Sequence, residues 1–335
     1  MLLKDTYFVA KLLVALGYVE VDPTTPDLTS PIEVIDLVDP NNRCSNLGSF
    51  ERGPNGPIGG LLQDNNGTYL PIVCPQTYIV GQPFECYVIK QNSVEFFVNV
   101  QENERYFAAS TILSNVAWAN GSSLLWITGG VIGGTNGFIQ TTEILRPDPT
   151  SNQTGYGPEL PSDTPTAYHC TIAVEDSVYF IGGITRWEEN SPILVNQTLI
   201  FNYTSNQWFK GPPMNIPRRF HACVHYKDPQ GNSKIMVTGG VTEVSEAISS
   251  VEILDLDSQT WSFGTYLPYY LHGHAMTAIE DTIYVIGGKG PNGLSGDIYQ
   301  CIGGSSCEWE LYPTKLQVPR RRFTAMLVPD ELCEA

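Results

Sequence analysis

Three histidines stand at matching places in successive stretches of this chain: His169 in Tyr168-His169-Cys170, His221 in Phe220-His221-Ala222 and His274 in Gly273-His274-Ala275. Imidazole is the commonest biological metal ligand, so three of them brought to one point would make a metal site. The column just before holds Arg105, Arg219, Arg322 and His272, completing a ring of basic and titratable groups. The competing use is structural, with each side chain hydrogen-bonding one repeat to the next and the imidazoles too far apart for ligand bonds of about 2 Å. That use is the expected one. No metal or other cofactor is expected. No G-x-S-x-G elbow, P-loop or H-E-x-x-H occurs, so no assembled catalytic site is expected either.

Cysteine and asparagine carry the remaining chemistry. The eight cysteines are Cys44, Cys74, Cys86, Cys170, Cys223, Cys301, Cys307 and Cys333. Cys301 and Cys307 bracket a short turn, and Cys74 and Cys86 fall where two neighbouring strands should adjoin, so these two pairs are the disulfide candidates. Cys170 and Cys223 sit on inner strands of different repeats and are expected to be unpaired. Five N-x-[ST] sequons, at Asn66, Asn120, Asn152, Asn196 and Asn202, fall mostly in predicted loops and are glycosylation candidates.

The elements that position these residues follow from composition and repetition. Of 335 residues, 42% are hydrophobic and 16% charged, enough to bury a core. The 31 glycines and 24 prolines are spread along the chain, as many turns between short strands require. Four hydrophobic runs end in a double glycine: Gly129-Gly130, Gly182-Gly183, Gly239-Gly240 and Gly287-Gly288. The second glycines are 53, 57 and 48 residues apart. Each pair is followed by a loop, a second β pattern and an aromatic such as Trp208 or Trp261. Pro-Arg-Arg-Phe (Pro217–Phe220) or a relative then leads into the next unit.

In these features the chain resembles the kelch repeats, whose units are four-stranded blades set radially about a channel. The resemblance implies an all-β, six-bladed kelch β-propeller of antiparallel blades. Two degenerate copies complete the count: Lys11–Tyr18, with Leu16 in one glycine place, and Pro71–Gln76, with Pro75 and Gln76 in both. The N-terminal strands and the C-terminal run Arg322–Val328 are expected to share the closing blade. The expected division of this single domain, 1–335, is 11–50 with 320–333, then 55–104, 105–163, 164–216, 217–270 and 271–319.

A net charge of −17 argues against nucleic-acid binding, and no run of 18 apolar residues is present to insert into a membrane. The resemblance implies a monomeric platform for an unidentified protein or glycan ligand. The expected contact loops are Val131–Gln140, Ile184–Val195, Val241–Ser249 and Lys289–Gly296, with Phe138 and Trp187 exposed. Sequons and cysteines favour an extracellular recognition or adhesion module, with any signal sequence upstream of Met1. The alternatives are an intracellular adaptor, like the kelch half of BTB-kelch ubiquitin-ligase receptors, and an enzyme like galactose oxidase or a sialic-acid mutarotase.

Overall fold

Six four-stranded antiparallel sheets stand around a common axis. The computed structural model describes residues 11–19, 29–39, 43–44, 47–51, 56–76, 84–100, 105–114, 116, 123–132, 137–147, 153–162, 166–189, 191–243, 246–304 and 307–333. Blade 1 is composite: the C-terminal strand Thr324–Val328 is innermost, followed outward by Lys11–Ala15, Glu33–Asp36 and Arg43–Cys44. Blades 2 to 6 start from inner strands Ile58–Gln63, Ala109–Leu113, Cys170–Val174, Ala222–Lys227 and Ala275–Ile279. Each inner strand touches the inner strands of both neighbours, and the cycle closes through blade 1.

Burial explains the sequence pattern strand by strand. The second strand of each blade is covered on both faces by adjacent blades, so it reads as an unbroken apolar run rather than an alternating one. Lys11–Ala15 and Leu124–Thr128 are buried at every position. The outermost strands, such as Gln207–Lys210 and Thr260–Phe263, are mostly exposed. The core is accordingly a series of inter-blade layers. Leu12 and Ile35 of blade 1 pack on Tyr284 and Ile298 of blade 6, and Trp126 of blade 3 packs on Phe180 and Phe201 of blade 4. Neither face of a blade is sheltered unless both neighbours are present.

The double glycines close each second strand with two residues at positive φ. At Gly239 and Gly240 φ is 58° and 102°, and a Cβ on Gly240 would lie 2.9 Å from the Arg219 carbonyl. The second value is one that side-chain-bearing residues rarely adopt. The first is the left-handed helical region, where blade 1 places Leu16 at φ 63°.

A buried Arg–Glu pair recurs in alternate blades. Arg320, Arg105 and Arg218 lead into blades 1, 3 and 5 and bond Glu33, Glu143 and Glu252 at 2.7, 3.1 and 2.6 Å. Each carboxylate sits on the third strand, opposite Val14, Ile127 and Val237. At the same place blades 2, 4 and 6 carry Tyr87, Leu199 and Tyr299. The Arg320 clasp also ties the ring shut, because its guanidinium reaches the carbonyls of Leu16 and Pro31 at 3.1 and 3.0 Å. Strand pairing from Lys11↔Val328 to Ala15↔Thr324 completes the closure.

Candidate functional site at the channel mouth

The segment leading into each inner strand turns through one positive-φ residue. These are Gly56, Phe107, Tyr168, Phe220, Gly273 and Arg322, with φ between 52° and 78°. They form a ring around the channel. Backbone amides link it between blades: Gly56 donates to Arg322, Arg322 to Gly273, Gly273 to Phe220 and Tyr168 to Phe107, at 2.6–3.0 Å. This ring marks one face of the propeller. The neighbouring residues pair with the loops that follow the double glycines, as in Arg219↔Val241, Ala167↔Ile184 and His272↔Lys289.

Side chains at this level are aromatic and basic. Phe107 stacks on Tyr168 at 4.0 Å between centroids, and Tyr168 meets Phe220 edge-on at 4.6 Å. The Arg322 guanidinium lies 3.9 Å from the Phe220 centroid, and Arg219 is 5.3 Å from the same ring. Arg321 sits over Tyr18 at 4.9 Å. His272 is held down to about 4, by burial first and then by Arg321, Arg322, Lys289 and Arg219. Four cationic groups therefore crowd a neutral imidazole in one small area of a chain whose net charge is −17. A cavity of about 130 Å³ at this level is lined in part by Phe107, Tyr168, Phe220 and Arg322.

His169, His221 and His274 line that cavity, one residue further along each strand. Each Nε2 is engaged with the preceding blade: His169 with Thr128 Oγ1 at 3.1 Å, His221 with the Ile181 carbonyl at 3.0 Å and His274 with Thr238 Oγ1 at 2.7 Å. Burial lowers all three to about 3, so they are neutral imidazoles at physiological pH. Among the described residues no group of three or more His, Cys, Asp or Glu is placed to hold a metal ion.

The basic column read from sequence needs correction. Arg105, Arg219 and Arg322 occupy three successive positions rather than one. Arg105 is 1% exposed and committed to Gly129, Thr141 and Glu143 inside blade 3. Arg219 and His272 come next along the lead-in, at bridges to Val241 and Lys289, and Arg322 is the positive-φ residue itself. The error arises because the true equivalents of Arg105 are Arg218 and Arg320, one and two residues before the arginines chosen. Lys289 is the first residue of an expected contact loop, but sequence reasoning did not single out Arg321 and the three aromatic rings for the mouth, although Phe220 and Tyr168 directly precede histidines of the aligned column.

A second correction concerns cysteine. Cys170 and Cys223 are disulfide-bonded, with Cα atoms 6.1 Å apart, because inner strands of adjacent blades face one another closely. Cys74 bonds Cys86 across two strands of blade 2, and Cys301 bonds Cys307 at the rim of blade 6. Phe138 and Trp187 are not free loop aromatics; both pack against Val131, Ala167, Ile184 and Leu194. Among the sequons, Asn66 lies in an exposed turn, while Asn196 donates its side-chain amide to Met214 and Asn202 to Asp176. Asn120 and Asn152 lie outside the described residues.

Comparison with known proteins agrees with the fold. The family model for the KLHDC2/KLHL20/DRC7 Kelch-repeats domain matches residues 116–333. Kelch-like protein 40 of Homo sapiens is 30% identical over 146 residues, covering 43% of this chain and 22% of the relative. Kelch repeat-containing protein kel-10 of Caenorhabditis elegans is 24% identical over 169 residues, covering 50% of this chain and 28% of the relative. The matched stretches thus span well under a third of those relatives' lengths. Among solved structures, that of YjhT superposes with a TM-score of 0.60 at 15% identity, over 80% of this chain and 86% of that one, a likeness of fold.

Proposed function

The chain belongs to the kelch-repeat β-propellers, and on that premise we propose that it is a non-catalytic protein-binding platform whose contact face is the channel mouth. The ligand that fits this face is an acidic segment of a partner protein. The observation that carries the reading is charge segregation. Arg219, Arg321, Arg322 and Lys289 gather around the neutral His272 at the mouth of a chain with net charge −17. A basic patch focused by low-dielectric aromatic walls attracts carboxylates far more strongly than the same charges scattered would. Guanidinium groups add forked hydrogen bonds to carboxylate oxygens.

The setting has two readings, each with its own support. The three disulfides among the described residues favour an oxidising compartment and an extracellular recognition module. Similarity to Kelch-like proteins favours an intracellular adaptor. Alkylation of the protein from its native source before and after reduction separates them, together with a glycosidase-induced gel shift. Free thiols with no shift would remove the extracellular reading.

The binding claim is tested by fluorescence anisotropy with a labelled decaglutamate peptide. The wild-type chain is expected to bind it, with affinity falling as salt rises. Arg219→Ala/Arg321→Ala should weaken binding by about tenfold or more at an unchanged melting temperature. Equal affinity for the variant would contradict the assignment.

A further inference from the structure

Of the three disulfides among the described residues, only Cys170–Cys223 joins two blades. It lies immediately below the mouth. Cys170 is two residues after Tyr168 and Cys223 three after Phe220, and those two rings meet at 4.6 Å across the gap between blades 4 and 5. The Arg219 guanidinium flanks both rings, 5.9 Å from the Tyr168 centroid and 5.3 Å from that of Phe220. Hydrogen bonds between ring residues tie blade 3 to blade 4 and blade 5 to blade 6. Blades 4 and 5 are joined near this level by the aromatic contact, the disulfide and two hydrogen bonds, Gly183 N–H to the Arg218 carbonyl at 2.9 Å and His221 Nε2 to the Ile181 carbonyl at 3.0 Å.

The three bridges also differ in access. Cys74 and Cys86 are both fully buried. Cys170 is partly exposed and Cys223 is 8% exposed, so within this bridge Cys170 is the more open residue to an approaching small thiol. Cys307 is partly exposed too, but its bridge to Cys301 spans six residues at the rim of one blade and crosses no gap. Basic groups nearby draw in an anionic thiol and favour the departing thiolate.

We propose that Cys170–Cys223 is a redox-operated staple on the mouth. Closed, it holds blades 4 and 5 so that Tyr168, Arg219 and Phe220 form one surface; reduced, it lets that junction loosen and weakens the grip on an acidic ligand. The co-reactant is a low-molecular-weight thiol of the glutathione class. Its thiolate attacks Cys170 Sγ, forming a mixed disulfide and expelling the Cys223 thiolate, which takes a proton from water. A second thiolate attacks the small-molecule sulfur of the mixed disulfide. This frees Cys170 as the thiolate and forms the oxidised small-molecule disulfide, two electrons having passed to the protein. The ligand part of the proposal rests on the mouth being the binding face; the structural part does not.

The test keeps those parts distinct. Folded protein is exposed to graded dithiothreitol, alkylated, and mapped by mass spectrometry, with amide hydrogen exchange followed in peptides covering 166–174 and 218–226. Cys170 and Cys223 are expected to open while Cys74–Cys86 stays closed, and exchange in both peptides should rise severalfold with the fold retained. Cys170→Ala/Cys223→Ala should show the same raised exchange without reductant. A bridge that opens only on global unfolding, or that opens with exchange unchanged, overturns the proposal. Decaglutamate affinity should fall severalfold on reduction; equal affinity in both states overturns the coupling to ligand. If decaglutamate fails to bind even the oxidised chain, the binding-face reading and the ligand part fall together, and the exchange data still decide the staple.

Discussion

His221 shows how little freedom the residues under the mouth possess. A carbonyl can only accept, so the contact with Ile181 at 3.0 Å places the proton on Nε2. The folded chain holds this imidazole neutral down to about 3, whereas the ordinary value is 6.5. Between those values the unfolded chain binds a proton that the folded chain refuses, so stability falls as pH drops from about 6.5 toward 3 and is fully present above. Each such histidine contributes a slope of up to about 1.4 kcal/mol per pH unit. His221→Ala should cost about 1 kcal/mol at pH 7 through the lost hydrogen bond, and should flatten the decline in urea stability between pH 6 and 4. Parallel pH profiles for variant and wild type would refute this account. The histidine column was legible in sequence because each member directly precedes an apolar strand. The arginines were not, since Arg218 and Arg219 look alike on paper while one is wholly buried and the other half-buried.

At the scale of the element, the blades are built on two schemes. Blades 1, 3 and 5 lock their lead-in to the third strand with a buried Arg–Glu pair, and the equivalents of Arg218 and Glu252 in blade 6 are Leu271 and Tyr299. In blade 5, Glu252 also accepts from the amides of Asn215 and Ile216 at 2.6 and 3.1 Å. Burial pulls Arg218 below its ordinary value while Glu252 opposes the shift. Removing one partner leaves an uncompensated buried charge, so Glu252→Leu should destabilise by about 3–5 kcal/mol in chemical denaturation. Arg218→Leu/Glu252→Leu should lie closer to wild type than Glu252→Leu alone, because blade 6 already packs that junction without charge. A double variant weaker than the single one would show that the pair is not what holds the lead-in. The second strands and their glycines were readable from sequence as continuous apolar runs with a stop. The Arg–Glu alternation was not, because its partners lie 34 to 287 residues apart. Cys170–Cys223 escaped for the same reason, since contact between inner strands of different blades leaves no local spacing signal.

On the scale of the whole molecule, stability depends on completing the circle. The apolar layers between blades are each shared by two sheets, and the layers flanking blade 1 need both chain ends. Arg322, which lies over Phe220 at the mouth, belongs to the C-terminal segment that pairs with Lys11–Ala15. The number of blades and the shared closing sheet were legible because repetition counts units and the ends of the chain supplied complementary halves of one. Thermal unfolding of the chain lacking residues 1–18, set beside the intact chain, tests the closed ring most directly. Loss of the Lys11–Ala15 strand bares the inner strand of blade 1 and opens two inter-blade layers, so the account predicts either no cooperative transition or a midpoint lower by more than about 10 °C. A truncated monomer melting at the same temperature as the intact protein would contradict it.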